Sequence, residues 1–278
     1  MKKIFISYGN KPFKDTLKRI KKEARHLRIF DKVITYSEKD LPEWICQSSL
    51  FNYARGGGYW VWKPYVILKT MQRYPNALII YADAGCSLNK NMDEWNAWFR
   101  LMETYEMLVT AYRIGFDYGW YGAFHTNSVE IATWTKKETL NYFDNKFGNT
   151  AWHTYNKIMA GFLMVKCNMS LIQEWLDTML NNPNLVIDPT DVQQKEQYPF
   201  FVAHRHDQSI LTPLVYYYRD EHKLKLCILP ETAESNPNAA VVASRIKEIK
   251  KVPLKTRIIY IIKRLLGENC YQLLHFWN

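Results

Sequence analysis

Residues 78–89 read LIIYADAGCSLN. With Ala77 in front, the first part is a short, uniformly apolar run, the pattern of a strand buried on both faces as in a parallel sheet. It ends in an acid, Asp83, with Gly85 two places on. A carboxylate just past the C-terminal end of a central parallel strand stands in the crevice where open α/β sheets bind ligands. Such an acid can hold a divalent cation that bridges the phosphates of a nucleotide. The same residues also suit a plain surface turn, with Gly85 supplying the turn geometry.

Working outward, KKIFISYGN (residues 2–10) reads as a strand. Leu17, Ile20, Ala24 and Leu27 then recur at helical spacing, and KVITYSE (32–38) is β-rich again. Strand, helix, strand predicts a βαβ unit and a parallel sheet. A helix is expected after Asp40 as cap with Pro42 in its first turn, and another from Pro64. KIMAGFLMVKC (157–167) is a further strand, and Ala160-Gly161 at its head would let backbone lie close to a ligand. HRHDQSILTPLVYYY (204–218) begins polar and becomes an apolar helix. Residues 113–157, rich in Gly, Trp, Tyr and Asn, show no clear regular pattern. The expected fold is α/β, a mixed, mainly parallel sheet flanked by helices, forming one domain over residues 1–244 with a tail over 245–278.

The composition, 47% hydrophobic and 23% charged, is that of a globular protein and excludes wholesale disorder. Aromatics are abundant: 10 Trp, 19 Tyr and 13 Phe, many beside Gly, Asn or His. Their faces suit sugars and nucleobases, and they also fill cores. The net charge of +10 attracts phosphorylated small molecules, anionic lipid or nucleic acid. From Arg245 onward eight Lys or Arg face two acids, so most of the excess lies in the tail. Five scattered cysteines without a CxxC pattern argue for reduced thiols and against a disulfide framework. The N-terminus lacks the apolar length of a signal peptide and no run approaches a membrane span, so a cytoplasmic location is expected.

Three more stretches carry chemistry. RGGGYWVWKP (55–64) sets Arg55 and Lys63 around three glycines and two tryptophans. It is not a P-loop, but flexible backbone, two cations and a following helix N-terminus suit a diphosphate. The competing reading is a mobile loop with tryptophans packed beneath it. In HRHDQS (204–209), His204, His206 and Asp207 are candidates for metal ligands or for an acid and its partners at an acceptor hydroxyl. Asp207 as a helix cap with solvated histidines fits the same letters. In the tail, Leu254, Ile258, Ile261, Ile262 and Leu265 share one arc at 100° per residue, with Arg257, Lys263 and Arg264 opposite. This basic amphipathic helix suits an anionic membrane surface or packing on the domain. A nucleic-acid polymer fits poorly, because the charge is not spread over the fold and no binding motif is present.

In order, these pieces resemble the GT-A-fold glycosyltransferases, most nearly the bacterial capsular and lipopolysaccharide enzymes with a DXD sugar-binding region, and more distantly glycogenin-like galactosyltransferases. YADAG (81–85) is similar to the acid motif that ends a strand in those families, MAGFLMV (159–165) to their Asn-Ala-Gly strand, and HDQSIL (206–211) to their Asp-Gln helix start. The resemblance covers roughly residues 3–244. It implies a nucleotide-sugar donor, a UDP-sugar in the first place, and a glycan or lipid-linked acceptor for surface polysaccharide at the inner membrane face. It assigns donor binding to Tyr8, Arg55, Lys63, Asp83, Ala160 and Gly161, and the catalytic position to Asp207 and Gln208. Asp207 would be the base in an inverting enzyme, or would orient the donor sugar in a retaining one. Mn²⁺ or Mg²⁺ would be held by Asp83 with His204 or His206. Gly85 stands where the pattern has its second acid. The alternatives are diphosphate neutralisation by Arg55 and Lys63 without metal, or a non-catalytic binding protein on the same fold.

Overall fold

A computed structural model describes residues 1–116, 118, 124–166 and 169–244. The amphipathic helix expected in the tail lies outside the described residues. A six-stranded sheet forms the centre, in the order β2-β1-β3-β6-β5-β7. Its strands are β1 (Lys2–Tyr8), β2 (Lys32–Tyr36), β3 (Ala77–Ala82), β5 (Met107–Ala111), β6 (Ile158–Val165) and β7 (Leu226–Pro230). Two short strands, β4 (Ser87–Leu88) and β8 (Val241–Val242), form a separate antiparallel ribbon. The sheet is mixed and mainly parallel, as expected. β2, β1 and β3 pair in parallel, as do β5 and β7, while β6 runs antiparallel to both β3 and β5.

The longer helices are α1 (Lys14–Leu27), α2 (Trp62–Arg73), α3 (Met92–Thr104), α4 (Lys137–Phe147), α5 (Met169–Asn181) and α6 (Asp207–Asp220). Alternate strand residues point to opposite faces, and the sheet is covered on both. Ile4, Ile6, Ile79, Tyr81, Val109 and Leu163 pack with α2, α5 and α6. Phe5, Leu78, Ile80, Leu108 and Met164 pack with α1 and α3. Double-sided burial explains why β3 carries no polar residue except Tyr81, all six of its residues being buried.

Two local expectations are corrected. Asp40 does not cap a helix that holds Pro42. It closes a capping box with Ser37 on a 3-10 turn, Glu38–Asp40, and the next helical turn, Glu43–Cys46, starts after Pro42. The segment 113–157 does contain regular structure, since α4 lies within it.

This topology positions the crevice. β2 lies on one side of β1 and β3 on the other, so the chain reverses direction across the sheet at the β1/β3 boundary, the place where open α/β sheets bind ligands. The antiparallel β6 brings its N-terminal half to the same edge, with Phe162 opposite Ala82. The fold's dependence on the α3 side can be tested at Trp95, which is fully buried against Phe30, Trp98, Phe99 and Phe162. Trp95→Ala is expected to cost about 3–5 kcal/mol, read as a lower urea midpoint.

Candidate active site

The β3 strand delivers Asp83 to the crevice. Its backbone N–H donates to the Gly161 carbonyl at 2.9 Å, extending the β3/β6 ladder by one residue. On the side chain, Tyr81 donates its hydroxyl to Oδ1, and the Lys63 ammonium lies 3.3 Å from the same oxygen. Oδ2 faces Gly161, where an added Cβ would stand 3.2 Å from it. A side chain on residue 161 would therefore crowd Asp83.

Lys63 comes from the first turn of α2 and is 2% exposed. Its ammonium donates to Asp207 Oδ2 at 2.7 Å and to the Ala160 carbonyl at 3.1 Å, beside the Asp83 contact. Three protons meet three acceptors. Burial pushes the Lys63 pKa down, but Asp207 and Asp83 outweigh it, and the ammonium is held above its ordinary range. Asp207 opens α6 and is 6% exposed. Its pKa is raised, because burial outweighs the opposing pull of the Lys63 ammonium. Gln208 beside it donates to the Ile158 carbonyl of β6.

The three glycines, expected as a loop, begin a left-handed turn. Gly56, Gly57, Gly58, Tyr59 and Trp60 all have positive φ, at 60°, 57°, 92°, 49° and 62°. Left-handed geometry costs roughly 1–2 kcal/mol for each non-glycine residue, so Tyr59 and Trp60 need anchors. The Tyr59 hydroxyl donates to Asp188 at 2.8 Å, and the Trp60 ring stacks on His206 at 5.5 Å between centroids. Arg55 completes the anchor, its Nη1 donating to both Asp188 oxygens at 2.9 and 3.0 Å. Tyr8, at the end of β1, is buried with its ring stacked 4.0 Å from that of Trp62.

Among the described residues, no cluster joins the two histidines with Asp83 to hold a metal, and their contacts lie elsewhere. His204 donates from Nε2 to the Leu185 carbonyl at 2.9 Å and accepts the Lys136 amide at Nδ1. His206 donates from Nδ1 to the Val186 carbonyl at 2.8 Å, and its Nε2 lies 3.8 Å from Asp188. Its backbone, at φ 53° and ψ −118°, is a strained conformation for a non-glycine residue. Burial, first of all, lowers the His206 pKa to about 4. Thus the structure groups Asp83, Lys63, Asp207, Ala160 and Gly161, and gathers Arg55 and His206 around Asp188, with His204 beside His206. Tyr81 and Asp188 were not anticipated. A phenol inside an otherwise apolar strand was the available signal for Tyr81; Asp188, in a loop-like stretch, offered none.

A further acid, Glu231, sits just after β7, fully buried and accepting the Ala233 amide at 2.6 Å. Burial, and then Glu234, push its pKa up to about 7.

Substituting Lys63→Met leaves two carboxylates without their buried counter-charge. A loss of about 3–5 kcal/mol is expected at neutral pH, measured by urea unfolding. A pH test uses two further buried groups, His206 and Glu231. Folded His206 binds its proton less tightly than the unfolded chain, so it opposes folding as pH falls from 6.5 to about 4. Folded Glu231 binds its proton more tightly, so its contribution is present below 4.5 and is lost as pH rises to about 7. The two trends run in opposite directions over one window. Relative to wild type, Glu231→Gln should lose stability on acidification and His206→Asn should gain it, each by on the order of 3 kcal/mol across the window.

No family model and no curated protein matches the sequence. Similar solved structures include glycosyltransferases. One, involved in glycosylation of the major capsid protein of PBCV-1, shares 10% identity over 87% of this chain and 94% of its own, at a TM-score of 0.46. Mouse xyloside xylosyltransferase 1 shares 11% identity over 82% of this chain and 85% of its own, at 0.41. The bifunctional IspDF of Campylobacter jejuni also appears, at 11% identity over 85% of this chain and 51% of its own, with a TM-score of 0.39. At TM-scores this low, the reading of function rests on the site itself.

Proposed function

We propose that the chain moves a hexosyl group from a nucleotide-sugar, foremost a UDP-sugar, to a hydroxyl of a glycan or lipid-linked acceptor in surface polysaccharide synthesis. The observation that carries the reading is the buried ammonium of Lys63 shared between Asp83 and Asp207 at the sheet's crevice. Ordered carboxylate acceptors at that edge suit recognition of a sugar's hydroxyls. The side chain of Asp83 is a third exposed, and its Oδ2 is free to accept from the donor's ribose or sugar. Gly161 keeps that approach clear. Asp207 faces the transferred sugar, as base for inversion or as orienting group for retention, with Gln208 fixing the start of α6 against β6. Lys63 acts by holding both acids, because its three donors are engaged. The tail would place the domain at the cytoplasmic face of the inner membrane, where a lipid-linked acceptor lies.

Gly85 favours a second reading, a nucleotide-sugar- or carbohydrate-binding protein without turnover. The test is nucleotide release from a panel of UDP-, GDP-, CMP- and dTDP-sugars with and without acceptor saccharides. At least one donor should be hydrolysed or transferred, and Asp83→Ala should lower kcat/KM about ten- to a hundredfold, the worth of a hydrogen bond to a charged group. Binding without release under every condition would favour the binding protein. A panel in which calorimetry detects no binding at all would end the transferase reading.

A further inference from the structure

A divalent cation held with a nucleotide diphosphate takes one or two protein carboxylates besides phosphate oxygens and water. The acid pair here offers only the outer oxygen of Asp83, because the inner oxygens are already turned to a lysine. Among the described residues, no group of three or more His, Cys, Asp or Glu side chains is placed to hold a metal. The inner oxygens of Asp83 and Asp207 already face one cation, the Lys63 ammonium, at 3.3 and 2.7 Å. His204 has both ring nitrogens engaged, by the Leu185 carbonyl and the Lys136 amide. His206 has Nδ1 on the Val186 carbonyl and its Nε2 3.8 Å from Asp188. Gly85, two residues past Asp83, has no side chain to offer.

We infer that the Lys63 ammonium is the built-in cation of this site, holding Asp83 and Asp207 in the fixed arrangement that a divalent ion gives an acid pair elsewhere, and that nucleotide binding here needs no divalent metal. The lysine suits the task. It is 2% exposed, so water does not compete for its charge, and its third donor is fixed by the Ala160 carbonyl. A metal entering between the two acids would have to displace the ammonium, whose remaining acceptor, the neutral Ala160 carbonyl, does not balance its buried charge. The charge of a donor's diphosphate then falls to Arg55, whose guanidinium side chain is 53% exposed and binds Asp188 through Nη1. The nucleotide half of this inference rests on the proposed function; the metal half does not.

The experiment uses the full chain and has two arms. In the first, Mn²⁺ is titrated into wild type and Asp83→Asn without nucleotide, with free Mn²⁺ followed by electron paramagnetic resonance. No uptake tighter than about 1 mM, the weak limit of protein sites for divalent cations, is expected for either. Uptake of one Mn²⁺ by wild type that Asp83→Asn abolishes would overturn the inference. In the second arm, UDP binding is measured by calorimetry in EDTA and in Mn²⁺. Dissociation constants within about twofold, a difference of roughly 0.4 kcal/mol, support it, and a tenfold or greater loss in EDTA overturns it. If UDP binds in neither condition, the transferase reading falls, and with it the nucleotide half; the Mn²⁺ titration still decides the metal half.

Discussion

A lone ammonium buried in a protein interior is prohibitively costly. Lys63 is tolerated because three separate segments supply its acceptors: the acid after β3, the acid that opens α6 and a carbonyl of β6. Each of those segments is thereby fixed to α2. The arrangement explains why Asp207 begins a helix below the surface, why residue 161 is a glycine, and why a phenol interrupts β3. Tyr81 is the fourth member, its hydroxyl on Asp83 and its ring 5.6 Å from the ammonium. Burial strengthens every one of these contacts and makes the loss of any one expensive.

A second constraint stands beside the first. The turn Gly56–Trp60 is left-handed through two aromatic residues that resist that conformation. Asp188 offsets the cost by binding Arg55 and Tyr59 together, and the His206 ring supports Trp60. His206 is itself strained and immediately precedes Asp207. Strain of this kind persists only where surrounding contacts over-determine it, and it concentrates at ligand-binding sites. The turn and the buried pair thus meet at one peptide bond, between residues 206 and 207.

Much of this was legible in the letters. The buried strand before Asp83, the amphipathic spacing of α1 and the polar entry to α6 follow from periodicity, and all three stand in the structure. Lys63, Asp83, Asp207 and Gly161 were each marked as candidates. Their mutual contact was not visible, because Lys63 and Asp207 are 144 positions apart and only the sheet order brings them together. The reversal of β6 was equally hidden: an apolar run buried on both faces reads the same in either direction. His204 and His206 are a different case. Alternate histidines beside an acid suggest ligands, yet here their rings satisfy the carbonyls of Leu185 and Val186, a need created by the loop's burial. The glycine run was read as flexible because glycine permits many conformations; nothing local to it announces that Tyr59 and Trp60 continue the same handedness.

The central claim is that a lysine, not a metal, sits between the two acids of a nucleotide-sugar site. A crystal structure of the chain grown with UDP and Mn²⁺, with diffraction collected at the manganese absorption edge, addresses it most directly. The account predicts UDP at the Asp83–Gly161 edge, the Lys63 ammonium still bound to Asp83 and Asp207, and no anomalous peak between the two carboxylates. A manganese peak coordinated by Asp83 with Lys63 displaced, or UDP bound elsewhere on the surface, would contradict it.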